Sequence, residues 1–169
     1  MNDLSGFSTF PDPLHPDLMR FISYWIEKSA GRDMPSRSDI DPLDIPDLLP
    51  GICLLDVEAL DRPACKVRFR LAGTRIRDMV GHDVTGKFID DVFDPPTVEM
   101  MAANYQWIAE RLEPHYDRRT KQLSEVTTAV YERILAPLGE EGKKPDMFFG
   151  MHVVSMQGAQ PLNEPLPVG

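Results

Sequence analysis

Tyr116 and Arg118 stand two residues apart in strand-like sequence, as do Tyr131 and Arg133, and Phe148, Gly150, His152 and Val154 continue the same spacing. A two-residue step puts side chains on one face of a strand. Should these faces turn inward, aromatic walls carrying guanidinium and imidazole groups would suit a small anionic or aromatic ligand. Tyr105, on a predicted helix, joins them as a pocket candidate. The competing reading is that Tyr and Arg snorkel at a sheet surface or a dimer interface.

Catalysis finds less support. His115 and His152 lie on separate strand-like runs and could meet across a sheet, but the sequence places no Ser or Cys with them. Asp90 and Asp91 are adjacent, so on a helix they point in different directions and make a poor carboxylate pair. No GxSxG, HExxH or phosphate-binding glycine loop occurs, and no catalytic residue is assigned. Cys53 and Cys65 form no CxxC pair and have no His at ligand spacing, so no metal site is assigned and a buried, small apolar role is expected.

The elements that must position these residues follow from hydrophobic period. Pro16 can open a helix running to about Ala30, with Gly31 placed to end it. Its apolar stripe of Leu18, Phe21, Ile22, Trp25 and Ile26 has to be buried on something, either the open face of a sheet or a second chain. Residues 34 to 50 carry four prolines, which exclude a long helix, yet Ile40, Leu43, Ile45, Leu48 and Leu49 supply anchors; an ordered connector with one short turn is expected.

Strands are expected from Ile52 to Val57 and through Val67, Phe69 and Leu71, which alternate with Lys66, Arg68 and Arg70, with a turn at Arg62-Pro63. Gly73 breaks that alternation. A short helix, TRIRDMV, stops at Gly81, and a second short turn ends near Phe93. Asp94 caps a long helix whose stripe includes Met101, Ala102, Tyr105 and Ile108 and which Pro114 ends. Tyr105 and Trp107 lie about 200° apart on that helix, so Trp107 is expected to be exposed. Three further strands are expected over His115 to Leu123, Thr127 to Leu138 and Met147 to Met156.

With 169 residues and 42% apolar content, the chain can fill one core. Eighteen Lys and Arg against 27 Asp and Glu give a formal charge of -9, which argues against nucleic acid and anionic membrane partners. Positive charge is concentrated between Arg62 and Arg77, where it forms either a solvated or partner-facing strip or an anion-facing one. No basic region followed by an apolar stretch opens the chain and no run of eighteen apolar residues occurs, so a soluble, cytoplasmic protein is expected.

In this order the chain resembles a PAS domain. PGICLLDV and CKVRFRLAG match its first hairpin, GTRIRDMVGHDVTGKFIDDVF its small-helix region, and the long helix and last three strands complete it. More narrowly, MPSRSDIDPLDIPDLLPGICLLDV and RFRLAGTRIRDMVGHDVTGKFIDDVF look like short alphaproteobacterial PAS proteins that stand alone. The resemblance implies an α+β, PAS-like five-stranded antiparallel sheet with helices on one face, plus an N-terminal helix. Four segments are expected: a mobile stretch at 1–13, the N-terminal helix and Pro-rich connector at 14–49, the core at 50–156 and a flexible tail at 157–169.

The resemblance also implies a sensory or protein-interaction role without catalysis, as a homodimer that contacts an unidentified signalling protein. A small ligand between sheet and helices is implied but not named. No NCRFL-like motif of the flavin-binding relatives occurs, the long helix has no His of the kind haem-binding relatives use, and His82 sits in a loop beside Asp83; no cofactor is predicted. Pocket candidates are Tyr105, Tyr116, Arg118, Tyr131, Arg133, Phe148 and His152, and dimer-interface candidates are Phe21, Ile22, Trp25 and Ile26. The alternatives are a ligand-free interaction scaffold and a small enzyme using the same cavity. Alternation alone leaves open which strand faces look inward.

Overall fold

The computed structural model describes residues 4, 6–7, 9–61 and 65–158. Helix α1 spans Pro16–Ser29. Proline supplies a pre-set φ at its first turn, the His15 ring accepts from the Asp17 N–H at 3.1 Å, and Ala30 and Gly31 end it in left-handed conformations. Three 3-10 turns follow, at Arg37–Asp39, Pro42–Asp44 and Pro46–Gly51, where one turn was expected. Prolines at the starts of the last two fix φ without allowing a longer helix. Of the connector's anchors, Ile40, Ile45 and Leu48 are buried, while Leu43 and Leu49 face water.

Strands β1 (Ile52–Ala59) and β2 (Lys66–Ala72) form the first hairpin. Helices α2 (Thr74–Val80), α3 (Ile89–Val92) and α4 (Pro95–Arg111) intervene, and β3 (His115–Gln122), β4 (Thr128–Leu138) and β5 (Met147–Gln157) complete the sheet. Gly81, at φ 94°, ends α2 in the conformation that a Cβ disfavours. The Asp94 carboxylate accepts from the Thr97 N–H at 3.0 Å and caps α4. All pairings are antiparallel, in the order β2-β1-β5-β4-β3. The expected α+β sheet is therefore present. The turn at Arg62-Pro63 and the tail beyond Gly158 lie outside the described residues.

Both faces of this sheet are covered. One face, with Ile134, Ala136, Phe149, Met151 and Val153, packs against α1 and the connector. The other, with Cys53, Leu55, Phe69, Leu135 and Phe148, packs against α2, α3 and α4. The described residues of the segment expected to be mobile make contacts with the first core: Phe7 and Phe10 pair at 5.0 Å, Phe10 meets Tyr116 edge-on at 6.4 Å, and the Thr9 hydroxyl accepts from the Tyr116 N–H at 3.0 Å.

This packing corrects the expected dimer surface. Phe21, Ile22 and Trp25 are buried within the chain, with Phe21 4.7 Å from Phe149 between ring centroids and the Trp25 indole N–H donating to the Pro137 carbonyl at 2.9 Å. The stripe buries on its own sheet because that face is apolar and the connector covers it only in part. Ile26 alone of the four stays partly exposed. Trp25→Asp is accordingly expected to unfold the chain, since truncating a buried Trp costs about 3–5 kcal/mol and a buried unpaired carboxylate adds to that. Thermal melts followed by circular dichroism test this; a folded, monomeric Trp25→Asp chain would show that α1 reaches a second chain instead.

Candidate functional site

Between the sheet and helices α2 to α4 lies a cavity of about 400 Å³. Leu55, Phe69, Ile76, Val80, Phe93 and Met101 form its apolar walls, and Asp117, Arg119, Lys121, Tyr131, Arg133 and His152 its polar end. The polar end is a consequence of register. Asp117 pairs with Arg133 and Arg133 with His152, so these three side chains lie in one row across β3, β4 and β5 and point to the same face. In the next rows Arg119 pairs with Tyr131 and Tyr131 with Val154, and His115 pairs with Leu135 and Leu135 with Gly150.

Gly150 is where the sheet cannot carry a side chain. A Cβ there would lie 2.7 Å from the Cys53 sulfur and 2.9 Å from Leu135 Cδ1. Tyr105 and Phe148 stack beneath the cavity at 5.1 Å and 20°, both fully buried, and support its floor rather than line it.

Charge at the polar end is unbalanced. Arg119 donates twice to Asp117 Oδ2, at 3.2 and 3.0 Å, and Arg133 Nη2 sits 3.6 Å from the same oxygen, too far for a hydrogen bond. Only 11% of the Arg133 side chain is exposed. Among the described residues, buried Arg133 Nη2, His152 Nδ1, His115 Nδ1 and the Tyr105 hydroxyl have no hydrogen-bond partner. Burial and then the Arg133 guanidinium push the His152 ring down from 6.5 to about 3, and the same two causes lower His115. Both rings stand neutral. Burial pushes the Cys53 thiol up to about 12 and the Tyr105 hydroxyl above its ordinary range, so neither supplies an anion to the arginines.

Arg75 of α2 donates to the His152 carbonyl at 2.8 Å and ties the helix over the cavity to β5. A larger groove of about 510 Å³, lined by Ile40, Ile45, Leu49 and Leu71 beside the connector, contains none of the unpartnered buried polar atoms.

Of the pocket candidates, Tyr131, Arg133 and His152 line the cavity. Tyr116 and Arg118 do not: Tyr116 pairs with Ile134, which faces α1, and alternation carries Arg118 to that same side. The Tyr116 hydroxyl donates to Glu132 at 2.7 Å there; burial and this bond raise its pKa. Asp117, Arg119 and Lys121, the other alternate set of β3, take the places expected for Tyr116 and Arg118. The sequence HYDRRTKQ contained both sets, and register alone chooses between them. Trp107 is half-buried rather than exposed, edge-on to His115 at 5.2 Å with Arg111 over its ring.

The part of the basic strip on β2 is neutralised locally. Arg68 lies 3.5 Å from both Asp56 and Glu58, Arg70 lies 3.2 Å from Asp56, and Lys66 lies 2.9 Å from Asp90. No group of His, Cys, Asp and Glu that could hold a metal occurs among the described residues, and no helix of theirs is long and apolar enough to cross a membrane.

The last strand, β5, sits at the centre of the antiparallel sheet, the first hairpin forms one edge, and α2 to α4 roof one face over the cavity. The family model described as PAS domain matches residues 14–153, and the chain belongs to that family. No curated protein sequence matches it. Among solved structures, the Rhodobacter sphaeroides LOV protein is similar at 14% identity and TM-score 0.42, with 64% of this chain and 63% of that one covered. A point variant of RsLOV is similar at 16% identity and TM-score 0.41, covering 70% of this chain and 64% of that one. The RsLOV d2 variant gives 17% identity, TM-score 0.39, and coverage of 62% and 58%. The chain thus spans under two thirds of the length of each of these proteins.

The neutral state of His152 has a direct test. The unfolded chain takes up a proton near the ordinary value of 6.5 and the folded ring near about 3, so this residue's contribution to stability is full above 6.5 and is lost as pH falls toward 3. In an NMR titration from pH about 8 to about 5 the His152 ring signals are expected to stay in the neutral position. A midpoint near the ordinary histidine value would show that water reaches the ring and the cavity is open there.

Proposed function

We propose that the chain is a non-enzymatic, cytoplasmic sensory module that binds a small ligand in the cavity between sheet and helices and signals through protein contacts as a homodimer. The observation that carries the ligand is the row of buried polar groups without partners at one end of an apolar cavity. Leaving a buried donor or acceptor unpaired costs about 1–3 kcal/mol, and a cavity that receives a ligand can recover it on binding. Protein contacts and dimerisation rest on the family, in which sensory modules act through the surfaces they present to other chains.

Several features favour binding over catalysis. A triad histidine is held at Nδ1 by a carboxylate, whereas the Nδ1 atoms of His115 and His152 are unpartnered among the described residues. The Cys53 thiol is held protonated and makes a poor nucleophile. Asp90 is engaged by Lys66 outside the cavity.

Native mass spectrometry of freshly purified protein is expected to show a retained small molecule. Met101→Trp, which fills the apolar wall and leaves the polar row intact, is expected to fold and to lose that mass. Retention unchanged in Met101→Trp would place the ligand elsewhere. Light scattering after size exclusion is expected to give a dimer; a monomer at high concentration would remove dimerisation from this reading.

A further inference from the structure

Two guanidinium groups at the polar end of the cavity, those of Arg119 and Arg133, share the single carboxylate of Asp117. Arg119 and Arg133 are both directed at Asp117 Oδ2, and Arg119 occupies it with two hydrogen bonds. Arg133 is left with the longer contact and an unpartnered Nη2. Glu132 borders the cavity, but its carboxylate is engaged by the Tyr116 hydroxyl on the opposite face. His152 and Tyr105 near the row are neutral, so nothing among them offsets Arg133. Lys121, at the exposed end of β3, adds a further positive charge.

A buried guanidinium without a full partner is costly, and an anion that supplies two oxygens to its fork removes that cost. Most of the remaining wall is hydrocarbon: Leu55, Phe69, Ile76 and Met101 offer no donor, and Thr97 adds a neutral hydroxyl but no cation for a second charged end. A dianion's second charge would meet only the exposed, hydrated Lys121 or lie uncompensated against the apolar wall, and an uncharged apolar ligand would leave Arg133 as it stands. We infer that the cavity takes a monoanion with an apolar body, an aryl or alkyl carboxylate whose head closes on Arg133 while its body lies against Leu55, Phe69 and Met101. This rests on the proposed ligand-binding role and names the chemical class of the ligand. Asp117 is then the internal competitor for Arg133, holding the guanidinium in place while the cavity is empty.

The test uses the full chain, isothermal titration calorimetry and three pairs of probes: benzoate with benzamide, 2-naphthoate with 2-naphthamide, and decanoate with decanamide. At least one carboxylate is expected to bind about tenfold or more tightly than its amide, the difference expected of a charge-assisted pair over a neutral one. Arg133→Gln is expected to erase that preference while amide binding persists. Asp117→Asn is expected to tighten carboxylate binding about threefold or more, because it removes the competing charge. A part that merely shaped the wall would weaken binding when altered, and this variant keeps the inference testable should Arg133→Gln fail to fold. Equal binding of carboxylate and amide would overturn the anion inference and leave the ligand-binding role standing. Binding by no member of any pair, with the wild-type chain folded, overturns both. A carboxylate preference that survives Arg133→Gln, or weaker carboxylate binding in Asp117→Asn, overturns the role given to the Asp117–Arg133 pair.

Discussion

Because both faces of the sheet are covered, the buried apolar residues of β4 and β5 between Ile134 and Leu138 and between Met147 and Val153 divide between two cores. The two strands pair from Thr128↔Gln157 to Leu138↔Met147, and a slip of one residue would exchange their faces. A slip of β5 would carry Phe149, Met151 and Val153 from α1 to the cavity side and press His152 toward Phe21 and Trp25, and a slip of β4 would press Arg133 there. Burying a guanidinium in that apolar core costs several kcal/mol, so the alternation of charge and hydrocarbon along these strands enforces the register. The position of the polar row, the seat of α1 and the volume under α2 to α4 all follow from that one pairing.

The same register explains why the cavity is polar at one end only. Toward the Leu138–Met147 end of β4 and β5, the cavity-side residues are Leu135, Pro137 and Phe148, and Gly150 gives way to the Cys53 sulfur. Toward the other end they are Arg133, Tyr131 and His152, joined by Asp117 and Arg119 from β3. β3 is an edge strand with one neighbour, so its charged side chains reach water at one end and Arg133 at the other. That keeps Arg119 and Asp117 partly hydrated while Arg133, one strand further in, is nearly buried. Arg75 adds a bond from α2 to the His152 carbonyl without adding a carboxylate.

Much of the fold was legible in the sequence because the signals were local. Gly73 and Gly81 bracket TRIRDMV, Asp94 caps α4, and Val67, Phe69 and Leu71 alternate with basic residues; each is decided within a few positions. The pairing of Asp117 with Arg133 was not legible. In ILAPL, residues 134–138, both alternate sets of β4 are apolar, so the inward face cannot be read from the strand itself, and β3 offers Tyr116 and Arg118 as readily as Asp117 and Arg119. The same ambiguity hid the seat of α1: a stripe such as Phe21, Ile22 and Trp25 fits a second chain or the sheet's far face equally well until Phe149 and Met151 are known to point toward it. Three turns rather than one in the connector reflect proline spacing that excludes long elements but does not count short ones.

The cost of the polar row bears on why it exists. Leu135 occupies the row beside Arg133, and Phe148 the one beyond, each fully buried on the same face of the same strands. Apolar side chains therefore fit this surface, and a wall serving stability alone would have continued them. Instead Arg133 and His152 each leave a buried polar atom unpaired, at a cost of about 1–3 kcal/mol apiece. The basic strip on β1 and β2 shows the contrasting solution within the same chain. There every cation named between Lys66 and Arg70 faces an acid across the hairpin or on α3, in partial contact with water, and no deficit remains. Local departures from such matching mark the places where a chain gives up stability for a task, and here that departure is confined to one row at the end of one cavity.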